Sequence, residues 1–166
     1  MRTIVLVGSP NVGKSSLFNQ LTGLYSATVS NYPGTTVDVT RAQVHIGGET
    51  FTVVDTPGMY SLVPLSEEER VARSIMLSEH PAVVLHVIDS RNLERMLAVT
   101  LQLIEAGLPV IAVLNMSDEA QRAGISIDRQ QLSKMLNIPV VETVSTTGKG
   151  IDILRGEIER YVRSVS

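Results

Sequence analysis

The sequence predicts an α/β fold: a six-stranded, mostly parallel sheet with one antiparallel strand and helices on both faces. Three observations carry this expectation. Short apolar, β-branched runs recur along the chain, and runs this continuous are what strands buried on both faces look like. Between most of them lie segments with apolar residues at helical spacing and charges between them, and strand alternating with helix means α/β. At one place two strand-like runs are joined by Gly47-Gly48, a two-residue turn of paired glycines that makes a hairpin and therefore one antiparallel strand.

In order, residues 3–7 read as a strand and 15–21 as a helix. The hairpin spans 37–46 and 50–54, and helix 67–78 follows. Strand 83–88, helix 93–106, strand 110–114, helix 129–136, strand 140–141 and helix 151–165 complete the alternation. Two irregular stretches, 24–36 and 57–66, exceed ordinary loop lengths and are candidates for functional segments.

With 166 residues, 43% hydrophobic and 19% charged, the chain fits one soluble globular domain. Its 14 basic residues are scattered among 17 acidic ones, which argues against a nucleic-acid partner. There is no cysteine, which excludes disulfides and thiolate metal sites. The longest apolar runs fall far short of the roughly 20 residues a spanning helix needs. The N-terminal run lacks the long apolar region and cleavage site of a signal peptide.

Gly8-Ser9-Pro10-Asn11-Val12-Gly13-Lys14-Ser15 satisfies GxxxxGK[ST] immediately after a strand and before a helix, the context in which that motif cradles phosphates. Its glycines let backbone N–H groups and the helix N-terminus face the anion. Lys14 would reach the β- and γ-phosphates, and the Ser15 hydroxyl, with Ser16 beside it, would serve Mg²⁺ and the phosphates.

A phosphate loop does not name the base. Three further motifs in order resemble the guanine-nucleotide-binding family with its Ras-like P-loop GTPase fold. Asp55-Thr56-Pro57-Gly58 resembles DxxG, which implies that Asp55 holds Mg²⁺ through water and that the Gly58 amide senses the γ-phosphate. Asn115-Met116-Ser117-Asp118 resembles NKxD, with Met116 where lysine is usual. Asp118 would accept from guanine's ring N–H and exocyclic amine, a pair adenine cannot make; the other reading of Asp118 is a helix cap. Ser145-Thr146-Thr147 resembles the fifth, base-contacting element, although Ser/Thr-rich loops before a helix are commonly turns and caps.

Asn31-Tyr32-Pro33-Gly34-Thr35-Thr36-Val37 narrows the resemblance, being similar to the switch I of the bacterial ferrous-iron transporter B (FeoB) family. Stretches 55–62, 66–73, 89–97 and 118–128 agree with that family, and methionine at the second NKxD position recurs in it. The resemblance implies that Gly34, Thr35 and Thr36 line the GTP site and that Thr36 closes over Mg²⁺ and the γ-phosphate. It also implies that Asn11 binds K⁺ together with switch I carbonyls near Ser30 to Tyr32. The catalytic set is then Asn11, Lys14, Thr36 and Gly58, with GTP as substrate and Mg²⁺ and K⁺ as cofactors. Met59 stands where Ras-like enzymes carry the water-orienting glutamine, so the water-positioning group is unassigned. Glu67 and Glu68 are read as a solvated helix start rather than a relay.

Residues 1–166 are expected to form one G domain. The resemblance implies a helical regulatory domain and a membrane iron-permease domain as its partners, both expected to lie outside this chain. The expected location is cytoplasmic, at the cytoplasmic face of the bacterial inner membrane when attached to the full transporter. Self-association through small apolar patches on the switches is left open. His45, His80 and His86 are isolated and read as structural. Two other functions compete: a ribosome-assembly or tRNA-modification GTPase, and a nucleotide-dependent interaction module with little hydrolysis, for which Met59 is the motive.

Overall fold

The computed structural model describes residues 1–23 and 27–165, so the first positions of the expected 24–36 loop, and Ser166, lie outside the described residues. In chain order come β1 (Arg2–Val7), α1 (Lys14–Thr22), β2 (Thr28–Asn31), β3 (Asp38–Ile46), β4 (Glu49–Asp55) and α2 (Glu67–Ser78). There follow β5 (Val83–Asp89), α3 (Leu93–Glu105), β6 (Val110–Asn115), α4 (Ser117–Arg122), α5 (Arg129–Leu136), β7 (Val140–Glu142) and α6 (Ile151–Ser164). The strands form one sheet in the order β2-β3-β4-β1-β5-β6-β7. Among the described residues only β3 runs against the others.

The sheet has seven strands where the sequence predicts six. The added strand is β2, whose four residues are all exposed. With no buried face it carries no hydrophobic alternation, and only its pairing with the edge of β3 makes it a strand. The six-residue α4 is likewise too short for a period to show. The hairpin turn is as expected: Gly47 and Gly48 have φ of 59° and 80°, the double positive φ of the turn that matches strand twist.

Period-two alternation divides β1 between two cores. Ile4 and Leu6 pack with Leu17, Phe18 and Leu21 of α1 and with Leu154 and Ile158 of α6. Val5 and Val7 face the other side, with Val71, Ile75 and Met76 of α2 and Leu103 of α3. Both faces are covered, which is why the strand reads as an unbroken apolar run. His86 lies mid-β5, 2% exposed, with Nδ1 2.9 Å from the Thr100 hydroxyl on α3. Burial pushes its pKa down to about 4, so the ring is a neutral core group. Among the described residues no helix is long and apolar enough to cross a membrane.

The position of β1 locates the site. From β1 the chain moves outward to one edge for β2 to β4, then crosses to the other side for β5 to β7. Ligands in open α/β sheets bind beyond the strands' C-terminal ends where the order reverses. There Leu6 stands level with Asp55, and Asp89 with Asn115.

Candidate functional site

Beyond Val7 the chain turns through residues 8–13 into α1. Asn11 and Gly13 take left-handed φ of 70° and 82°. At Gly13 a Cβ would also lie 2.3 Å from Asn115 Nδ2, and at Gly8 one would lie 2.7 Å from the Val87 carbonyl. Close approach therefore requires both glycines, and the left-handed turn requires Gly13 as well. The first turn of α1 has neither a side-chain cap nor an acidic residue, which suits its N–H groups to an anion.

Lys14 and Ser15, the first residues of that helix, converge on Asp55 at the end of β4. The Lys14 ammonium donates to Asp55 Oδ1 at 2.5 Å and to the Thr56 carbonyl, and the Ser15 hydroxyl donates to Asp55 Oδ2 at 3.3 Å. The Lys14 and Asp55 side chains are only 10% and 14% exposed. A hydroxyl beside a carboxylate is a hard-oxygen donor set that fits Mg²⁺.

The segment after Asp55 is pressed onto the phosphate loop. A Cβ on Gly58 would lie 2.9 Å from the Pro10 ring, and the Met59 N–H donates to the Gly8 carbonyl at 2.9 Å. The Met59 side chain is 1% exposed and packs in the core, so it presents nothing to a water. Thr56 is also turned away from the site: 2% exposed, its hydroxyl donates to the Leu6 carbonyl at 2.7 Å. Beyond this segment Ser66 caps α2, accepting from the Glu69 N–H, while Glu69 accepts from the Tyr60 N–H. Glu67 and Glu68 are exposed in the first turn.

On the base side, Asn115 is a fastener behind the site rather than a lining residue. Fully buried, its amide donates to the Val12 carbonyl and the Ser145 hydroxyl at 2.9 and 3.0 Å. Its oxygen accepts from the Thr143 hydroxyl and the Ser145 N–H at 3.0 and 3.1 Å. One side chain thus ties the phosphate loop to the loop carrying Ser145, Thr146 and Thr147. Of these three, Ser145 is buried, whereas Thr146 and Thr147 are exposed at the rim. Asp118 sits in the first turn of α4; the cap position belongs to Met116, with φ of 58°. The capping reading of Asp118 therefore does not hold, and its carboxylate meets Arg122 at 3.5 Å.

Switch I is laid along the sheet. Asn31 pairs with Asp38 across the mouth of the β2–β3 hairpin. The turn is closed by the Tyr32 carbonyl, which accepts from both the N–H and the hydroxyl of Thr35. Gly34 supplies its positive φ of 80°. Thr36 is exposed on this turn, and among the described residues no hydrogen bond joins it to Ser15 or Asp55. Ser30 and Asn31 belong to the ladder and the Tyr32 carbonyl to the turn, and Asn11 is exposed on the phosphate loop.

Sequence reasoning missed the Asn115 fastener, the Pro10–Gly58 packing and the turn after β5. There Asp89, 4% exposed, receives Arg91 and Asn92. The only sequence signal was an Asp-Ser-Arg-Asn run at a strand end, which is turn composition.

The family model described as ferrous iron transport protein B matches residues 2–158. The Fe(2+) transporter FeoB of Shigella flexneri is 44% identical over 163 residues, 96% of this chain and 21% of that protein. This chain thus spans about a fifth of the length of the curated relatives it matches. Among solved structures, the GDP form II of the cytosolic domain of the T. maritima FeoB iron transporter superposes with a TM-score of 0.93. It is 41% identical, and the match covers 98% of this chain and 63% of that one. The FeoB G-domain from Methanococcus jannaschii is 38% identical with a TM-score of 0.85, covering 98% and 99%.

Proposed function

We infer, this chain belonging to the ferrous iron transport protein B family, that it is the GTP-binding and GTP-hydrolysing G domain of a transporter. Its nucleotide cycle would serve ferrous iron uptake across the bacterial inner membrane, from the cytoplasmic face. A helical regulatory domain and a membrane permease domain would be its partners. The observation that carries the reading is the convergence of Lys14 and Ser15 on Asp55 where the strand order reverses.

The chemistry follows from those groups. The N–H groups of residues 8–15 cradle the phosphates, and Lys14 exchanges Asp55 for the β- and γ-phosphate oxygens. Ser15 and Asp55 would hold Mg²⁺, with Thr36 joining once the switch I turn has moved; when bound, the ion neutralises charge on the β- and γ-oxygens. The Gly58 N–H is carried by a segment pinned to Pro10 and Gly8, where it can report γ-phosphate occupancy to switch II. Asp118 reads the guanine edge. Calorimetric titration tests the assignment: GDP should bind far more tightly than ADP, and equal or tighter ADP binding would overturn it.

Asn11 carries the finer proposal, K⁺-assisted hydrolysis. Exposed in the left-handed conformation, it offers an amide oxygen on the phosphate loop, which the carbonyls of residues 30–32, placed here in the β2–β3 ladder and the turn beyond it, would join. A cation held there would supply positive charge to the transition state. The buried Met59 favours a second reading, an interaction module with little hydrolysis. Single-turnover assays separate them: turnover in KCl should exceed that in NaCl by about tenfold or more. Equal rates would sink the K⁺ proposal, and no turnover in either salt would favour the module.

A further inference from the structure

We propose that Arg91 is a positioning residue for base recognition: from the end of β5 it supplies the charge that Met116 does not bring to the loop before Asp118. The proposal rests on the reading of Asp118 as the guanine-binding carboxylate.

The guanidinium is fixed on one side by Asp89. Nε and Nη2 donate to the two carboxylate oxygens at 3.0 and 2.8 Å, and the Arg91 N–H also donates to Oδ1 at 3.0 Å. Such a bidentate pair sets orientation as well as distance. Asp89 is nearly sealed from solvent, and Arg91 holds its carboxyl below the usual range. The next residue, Ser90, donates to the Asn115 carbonyl at 2.6 Å, which ties this turn to the end of β6.

The other side of the guanidinium meets the base loop. Nη2 lies 3.6 Å from the Met116 sulfur, and Nη1 lies 3.1 Å from the Glu119 carboxylate on α4. Met116 is a non-glycine residue at φ 58°, a conformation that persists only where its surroundings over-determine it. Asp118 lies between the two residues that Arg91 touches. Both Asp118 oxygens must face two adjacent N–H donors of guanine, so a carboxylate free to swing loses the second bond before the first. The Arg91 contacts restrict that swing by holding both flanks of the turn.

The test compares GDP with inosine diphosphate, which lacks the exocyclic amine that Asp118 would bind. The ratio of their affinities reports the placement of Asp118 and is insensitive to the phosphates. Arg91→Ala is expected to weaken GDP binding about tenfold and to bring the ratio toward one. Arg91→Lys, which keeps charge without the fork, should fall between. Met116→Lys added to Arg91→Ala should restore the ratio by returning a cation to the loop itself. Thermal unfolding is followed in parallel; should Arg91→Ala not fold, Arg91→Gln, which keeps the stem, carries the same test. Equal weakening of both nucleotides, with the ratio unchanged, would reduce Arg91 to a purely structural role and overturn the proposal. A wild-type ratio of one would instead overturn the Asp118 reading on which it rests.

Discussion

Lys14→Met is expected to lower kcat/KM for GTP by about three orders of magnitude, equivalent to roughly 4 kcal/mol of transition-state stabilisation. The Lys14 ammonium is the one cation of the phosphate loop, held 10% exposed at the C-terminal edge of the sheet. Charge aimed from a protected position at developing phosphate charge is worth far more than the same charge in water. Methionine keeps the stem and removes only the charge. A second consequence appears without nucleotide: Asp55 loses its cation partner and keeps only the long contact from Ser15. That should cost about 1–3 kcal/mol of stability. Hydrolysis kinetics and chemical denaturation check the two effects separately. Turnover within tenfold of wild type would show that Lys14 does not face the transferred phosphoryl group.

Asn115→Ala should be the most destabilising single change in the site, by about 3–5 kcal/mol, with GDP affinity falling about 100-fold. Four hydrogen bonds vanish together, leaving the Val12 carbonyl, the Thr143 hydroxyl and both polar groups of Ser145 without this partner. No water reaches the position easily, because the side chain is fully buried. Asn115→Asp is expected to be no better, since it sets a carboxylate oxygen against the Val12 carbonyl. Denaturant unfolding and nucleotide titration measure both effects. An alanine variant within 1 kcal/mol of wild type would mean that the two loops are held by other contacts.

These two residues show where the sequence was informative and where it was not. Lys14 was legible from spacing alone, because a phosphate cradle needs its glycines, lysine and hydroxyl contiguous in the chain, between a strand and a helix. Asn115 was legible as a member of a motif, but nothing in a four-residue pattern says which side chain turns inward. Thr56 is the same case: its neighbour Asp55 faces the site while its own hydroxyl closes on Leu6.

By itself the sequence determined the alternating α/β order, the Gly47-Gly48 hairpin, the phosphate loop and the family resemblance. Each of these is written in neighbouring residues, through a period of two or 3.6, a turn's demand for positive φ, or a contiguous motif. Only the tertiary structure decided that an exposed segment pairs as β2, that Asn115 fastens two loops, and that Arg91 reaches Met116 and Glu119 from the turn after β5. Those depend on which strand ends stand level in the folded sheet. That register joins residues far apart in the chain, Val12 to Asn115 among them, through contacts that no local pattern encodes.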